Sequence, residues 1–174
     1  MLSIKRLLAY WLDFMILAII LIGLQLVLYI ISAGVPFDYL TKGYEIELWV
    51  LLTMSLPVWL YFITFDLSKR RTIGKRMLSL IVTDKNGGTI NFRQALVRTF
   101  IKLLPWELTH MIILVPDPWW DVAEPQNEFL IWIPNMIMVF YIVILFLNKG
   151  SAGAHDFIAK TKVTEVSQAN LSDV

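Results

Sequence analysis

Cysteine is absent from the sequence. Disulfides, thiolate metal sites and cysteine nucleophiles are excluded with it. Charge is scarce as well. Only 17% of the 174 residues are Asp, Glu, Lys or Arg, where a soluble domain carries roughly a quarter. The formal net charge is +1, so nothing in the balance draws the chain to nucleic acid. There is no internal repeat and no low-complexity tract. Thr72–Arg76 reads TIGKR. It lacks the upstream glycine of a phosphate-binding loop and the Ser or Thr after its lysine, which argues against nucleotide binding. No three metal ligands fall at a recognised spacing, and no cofactor is expected.

What the sequence has in excess is apolar: 57% of its residues are hydrophobic, and they fall in long runs. Leu7–Ile31 is the first. A secretory signal has the same basic start, here Lys5 and Arg6, but its apolar core is about 7–15 residues. This run is longer and contains Asp13, so it reads as a retained helix. About 20 apolar residues cross a bilayer. The second run is Leu48–Phe65, with Pro57 inside it, which a lipid-embedded helix tolerates. The fourth is Phe129–Leu147. The third, Ala95–Val115, carries Arg98, Lys102, Glu107 and His110. Either it spans, or its first half lies in the interface. Seven Trp and six Tyr suit a chain with two water–lipid boundaries.

Charge placement favours four spans. With four, 14 of the 15 bases fall on one side and Lys42 alone on the other. The basic side is expected in the cytoplasm, with both chain ends. Making Ala95–Val115 non-spanning would put Lys149, Lys160 and Lys162 outside. The segment 32–47 reads as an exposed outer connection. So does 116–128, which holds three prolines, four acids and no base. The cytoplasmic loop 66–94 contains a β-prone run, Met77–Thr83, a turn at Asp84–Gly88 and a possible return strand, Thr89–Phe92. The expected fold is an all-α membrane protein, a four-transmembrane-helix bundle with a small β-hairpin-like loop. Residues 1–166 form one domain, and 167–174 a flexible tail.

A carboxylate at the depth of Asp13 costs about 2.5–3.5 kcal/mol to insert, so it should face the bundle and find a partner. Arg98 or Lys102 enters from the same side. The pair reads either as a structural brace between helices or as a proton or cation site. Lys69, Arg70, Arg71, Lys75 and Arg76 read as topology determinants facing anionic headgroups. His155 and Asp156 are adjacent and cannot face one another on a helix, which makes a poor dyad. Asp156 is expected to cap or to pair with Arg71 or Arg76. Glu107, His110 and Asn135 are polar groups at membrane depth, able to line a cavity. Glu107 is equally placed for the outer interface, beside Trp106.

Three stretches carry a resemblance: RLLAYWLD at Arg6–Asp13, TIGKRMLSLIVTDKNGGTINFRQALVR at Thr72–Arg98, and AHDFIAKTKV at Ala154–Val163. Together they resemble the RDD family of bacterial membrane proteins, named for an arginine at the start of the first helix and two aspartates. Arg6 and Asp13 match the first two positions and Asp156 the third. The resemblance implies a bacterial cytoplasmic membrane and transport, with sodium–proton exchange in some members. The leading expectation is a small transporter or cation/proton antiporter acting as an oligomer. Its candidate ion, proton or ion-pair residues are Asp13, Arg6, Arg98, Lys102 and Asp156. The alternative is a non-catalytic membrane subunit that scaffolds, regulates or protects a partner. An enzyme ranks last, for want of a nucleophile or acid–base pair.

Overall fold

The computed structural model describes residues 1–68, 71–125 and 127–166. It is mostly helical. The first helix, α1, runs from Leu2 to Ile31, about 45 Å at 1.5 Å per residue. It starts earlier than its apolar run because Ser3 and Arg6 turn inward and are buried. A second rod begins at Gly43, inside the stretch expected to be loop. It comprises α2 (Gly43–Val50), a π-helical turn (Leu51–Ser55) and α3 (Leu56–Ser68). A short α4 (Ile73–Met77) lies against α1. Then come strand β1 (Leu80–Asp84) and α5 (Phe92–Leu114). A 3-10 turn, Glu128–Ile131, leads into α6 (Trp132–Leu147). Last are α7 (Ala154–Ala159) and β2 (Thr161–Glu165).

Three helical segments are long and apolar enough to cross a membrane: Leu2–Ile31, Gly43–Ser68 and Glu128–Leu147. Their outer faces expose Ile19, Ile22, Leu52, Leu60, Val139 and Phe140, which suits lipid. The fourth expected span, α5, is long enough at 23 residues but more polar. It packs against α2, α3, α6 and α7, so neighbouring helices shield its charges.

The expected hairpin is corrected. β1 pairs antiparallel with β2 near the end of the chain, with Val82 opposite Val163 and Asp84 opposite Thr161. The turn itself forms: Asp84 Oδ1 accepts from the backbone N–H of Asn86 and Gly88 at 2.9 and 2.7 Å, and Gly87 supplies φ +90°. The return strand does not form, because Asn91 is already the cap of α5. Its side chain accepts from Gln94 N at 2.9 Å, and Gln94 Oε1 accepts from Asn91 N at 3.0 Å. That capping box leaves too few residues for a strand. Leu80, Val82 and Val163 join Ala9, Ile63, Ile90 and Ala95 in a core beneath the helices. The sheet thus ties both halves of the chain to one end of the bundle. The expected tail, 167–174, lies outside the described residues.

Candidate functional site

At that end five buried charges alternate in sign. Arg6 on α1 meets Asp156 on α7, with Nη2 at 2.5 Å from Oδ2. Asp156 also meets Arg98 of α5 through Oδ1. Arg98 Nε reaches Asp66 Oδ2, at the end of α3, at 3.2 Å. Asp66 Oδ1 takes the Lys75 ammonium of α4. Both aspartates are wholly buried, and Arg98 is nearly so. Burial of this degree is tolerable only where each charge has partners and its remaining lone pairs are satisfied. Asp156 meets that condition with two further donors, Gly153 N at 2.8 Å and Thr161 Oγ1 at 3.0 Å. Arg6 also donates to Gly150 O at 2.9 Å. Gly150 sits at φ +84°, where a Cβ would overlap the Ser3 backbone.

Asp13 stands apart from this chain. Neither Arg98 nor Lys102 reaches it, contrary to the sequence expectation. It accepts instead from Tyr61 Oη at 2.6 Å, Thr72 Oγ1 at 2.5 Å and Gly74 N at 2.7 Å. The face of α1 that carries Asp13 is turned to α4. Gly74 permits the approach, since a Cβ there would overlap the Ala9 carbonyl oxygen and lie 3.1 Å from Asp13 Cγ. Asp13 is buried, yet among the described residues no base lies within 4 Å of its carboxylate. Its partners are three neutral donors. Lys102 is also without an ion pair among the described residues; its Nζ lies over the Phe62 ring at 3.1 Å.

Two groups of this site outside the spanning helices have displaced ionisation. Burial draws the Lys75 ammonium down to about 8, against the opposing pull of Asp66. Burial, then the Arg98 and Arg6 guanidinium groups, holds His155 well below the usual imidazole range. Geometry agrees for His155. Its Nε2 lies 3.1 Å from Arg6 Nη2, which can only donate. Toward Arg6, Nε2 is therefore the acceptor, and the ring is neutral.

Residues 3–160 match the RDD family model. The chain belongs to the RDD family. No curated protein and no solved structure matches it. In this RDD chain Arg6 and Asp156 form a direct ion pair, and Asp13 does not join them.

The partners expected for Asp156 are corrected: it binds Arg6 and Arg98, not Arg71 or Arg76. Lys75 and Arg71 are buried rather than facing headgroups, whereas Arg76 is exposed. Lys69 and Arg70 lie outside the described residues. Asp66, Tyr61, Thr72 and Thr161 were not singled out from sequence. Asp66 reads there as the first residue of a polar loop. The available signal is that it closes an apolar helical run, where an acid is costly unless paired.

Proposed function

We propose that this RDD protein is a small membrane transporter that exchanges a cation for a proton at Asp13, acting as an oligomer. The observation that carries the reading is the buried Asp13 carboxylate held by three neutral donors. A buried carboxylate with hydrogen bonds but no counter-charge can take up either a proton or a small cation. The neighbouring acids, Asp66 and Asp156, already have two bases each, which suits a rigid frame around the exchanging group. This reading needs proton transfer and ion binding but no nucleophile.

An apolar cavity of about 90 Å³ is lined by Tyr10, Phe14, Leu21, Phe62, Leu103 and Trp106 among others, and Phe14 follows Asp13 in the sequence. An apolar space of this kind stays dry, and a dry constriction acts as a gate. One chain of this size offers little room for a complete pathway, which is the reason for the oligomer. The charge network is proposed to face the cytoplasm of a bacterium, on the distribution of Lys and Arg.

The test is reconstitution in liposomes with a pH-sensitive dye. Addition of a monovalent cation should produce a proton flux with the wild type and none with Asp13→Asn. Equal traces from the two would remove transport at Asp13 and leave the network as a brace within a non-catalytic subunit.

A further inference from the structure

A second buried polar cluster lies toward the other end of the helices. Gly43 allows the start of α2 to approach the end of α5, since a Cβ there would overlap the Leu114 carbonyl oxygen. One turn into α2 stands Glu47, and one turn before Leu114 stands His110. Their contact is His110 Nδ1 to Glu47 Oε2 at 2.8 Å. On the other side of the ring, Nε2 lies 3.0 Å from Glu107 Oε2. Trp59 Nε1 donates to Glu107 Oε1 at 2.8 Å. All three side chains are at most 16% exposed. Glu47 Oε1 is buried with no hydrogen-bond partner among the described residues.

The proton count of this arrangement is constrained. Each ring nitrogen faces a carboxylate oxygen at hydrogen-bond distance, and neither contact can form between two lone pairs. Two protons must therefore be shared among the imidazole and the two carboxylates. The cluster is an imidazolium between two carboxylates, or a neutral ring beside one carboxylic acid. Removing one proton leaves an acceptor facing an acceptor in a buried place. The second proton is thus bound by three groups at once.

Other titratable groups on the packed elements are turned elsewhere or exposed, and Tyr10 of α1 stacks on Phe62. The α1 helix presents Phe14 to Trp106, and its Asp13 is held by α3 and α4. On α3, Tyr61 is bonded to Asp13 and Asp66 to Lys75 and Arg98. Tyr141 of α6 donates to Ile101 O at 2.9 Å. Glu128, on the turn before α6, is exposed. Glu45 of α2 caps Lys42 N. On α5 itself Lys102 lies on Phe62. At α7, Asp156 and His155 belong to the opposite network.

A route to the cluster exists. The π-helical turn Leu51–Ser55 widens the rod there and turns Ser55 inward, with its Oγ 3.4 Å from His110 Nε2. Such turns concentrate at functional places in helices. A cavity of about 220 Å³ opens beside it, lined by Leu51, Ser55, Leu56, Trp59 and Glu107. We propose that Glu47, His110 and Glu107 form a proton-binding site that exchanges one proton with the surroundings through this cavity. The site is separate from Asp13 and does not rest on the transport reading.

The chain has two histidines, which makes the test direct. The full-length protein, ¹⁵N-labelled at histidine, is placed in lipid nanodiscs, and its ring nitrogens are followed by NMR from about pH 5 to about pH 10, the span of ordinary imidazole, thiol and phenol titration. The His110 signals are those lost in His110→Gln. The wild type should lose one proton reversibly within this range. Glu47→Gln and Glu107→Gln should each lower the midpoint by about one unit or more, the effect of removing an adjacent charge. A ring that keeps one protonation state throughout would make the cluster a static brace and overturn the proposal. Midpoints unmoved by both glutamine variants would overturn it as well. Should one variant fail to fold, the other and the wild-type titration still decide.

Discussion

Three buried aspartates in one small region are treated differently. Asp156 collects two guanidinium groups, a hydroxyl and a backbone N–H, Asp66 collects an ammonium and a guanidinium, and Asp13 collects only neutral donors. Arg6 and Asp156 were legible in sequence as motif positions, although not as a pair, because 150 positions separate them and no periodicity links them. The burial of Asp13 was legible too. Its partner was not, since the direction in which α1 turns that side chain is set by Gly74, a residue of another element. His155 gives a prediction at this scale. It is neutral in the fold and ordinary in the unfolded chain, so below about pH 6.5 the unfolded state binds the extra proton. Stability contributed by the neutral ring is therefore lost as pH falls through that value. The thermal midpoint of the detergent-solubilised protein should drop between about pH 7 and about pH 5, and drop less in His155→Gln. Parallel pH profiles would show that the ring is not buried neutral.

Element boundaries followed hydrophobic runs well where lipid decides, and poorly where packing decides. The α6 helix and the body of α1 are almost wholly apolar and were read from composition. The start of the second rod was missed because Gly43 and Glu47 look like loop, yet one is an approach point to α5 and the other is paired to His110. The sheet was half legible: β1 and its turn follow from alternation and Asn-Gly-Gly chemistry, but its partner comes from the far end of the chain. Thr161–Glu165 has the same alternation, with Val163 inward and Thr164 outward. The sheet therefore predicts unequal effects on neighbouring positions. Val163→Ala should cost about 2 kcal/mol, from two lost buried carbons and the gap left against Val82. Thr164→Ala should stay within about 0.5 kcal/mol. Denaturant or thermal unfolding in detergent measures both; equal costs would contradict the β1–β2 register.

For the molecule as a whole, α5 is the element on which topology turns. It is the most polar of the long helices, and it is surrounded by α2, α3, α6 and α7. Helices that lie inside a bundle can carry charge that lipid would reject. The absence of cysteine makes its span testable with single introduced thiols. Lys85→Cys, in the turn before α5, and Trp120→Cys, after it, are both at exposed positions. An impermeant maleimide should reach them from opposite faces of oriented vesicles. Labelling of both from one face would mean that α5 does not cross.

The proposed exchange requires the Asp13 carboxyl to give up a proton when a cation arrives. Infrared difference spectroscopy on the protein in lipid, at fixed pH, follows that event without requiring transport. Adding a monovalent cation should remove a carboxylic-acid C=O band and raise a carboxylate band, and both changes should vanish in Asp13→Asn. A spectrum with no carboxyl change on cation addition, or one that persists unaltered in Asp13→Asn, would contradict the exchange.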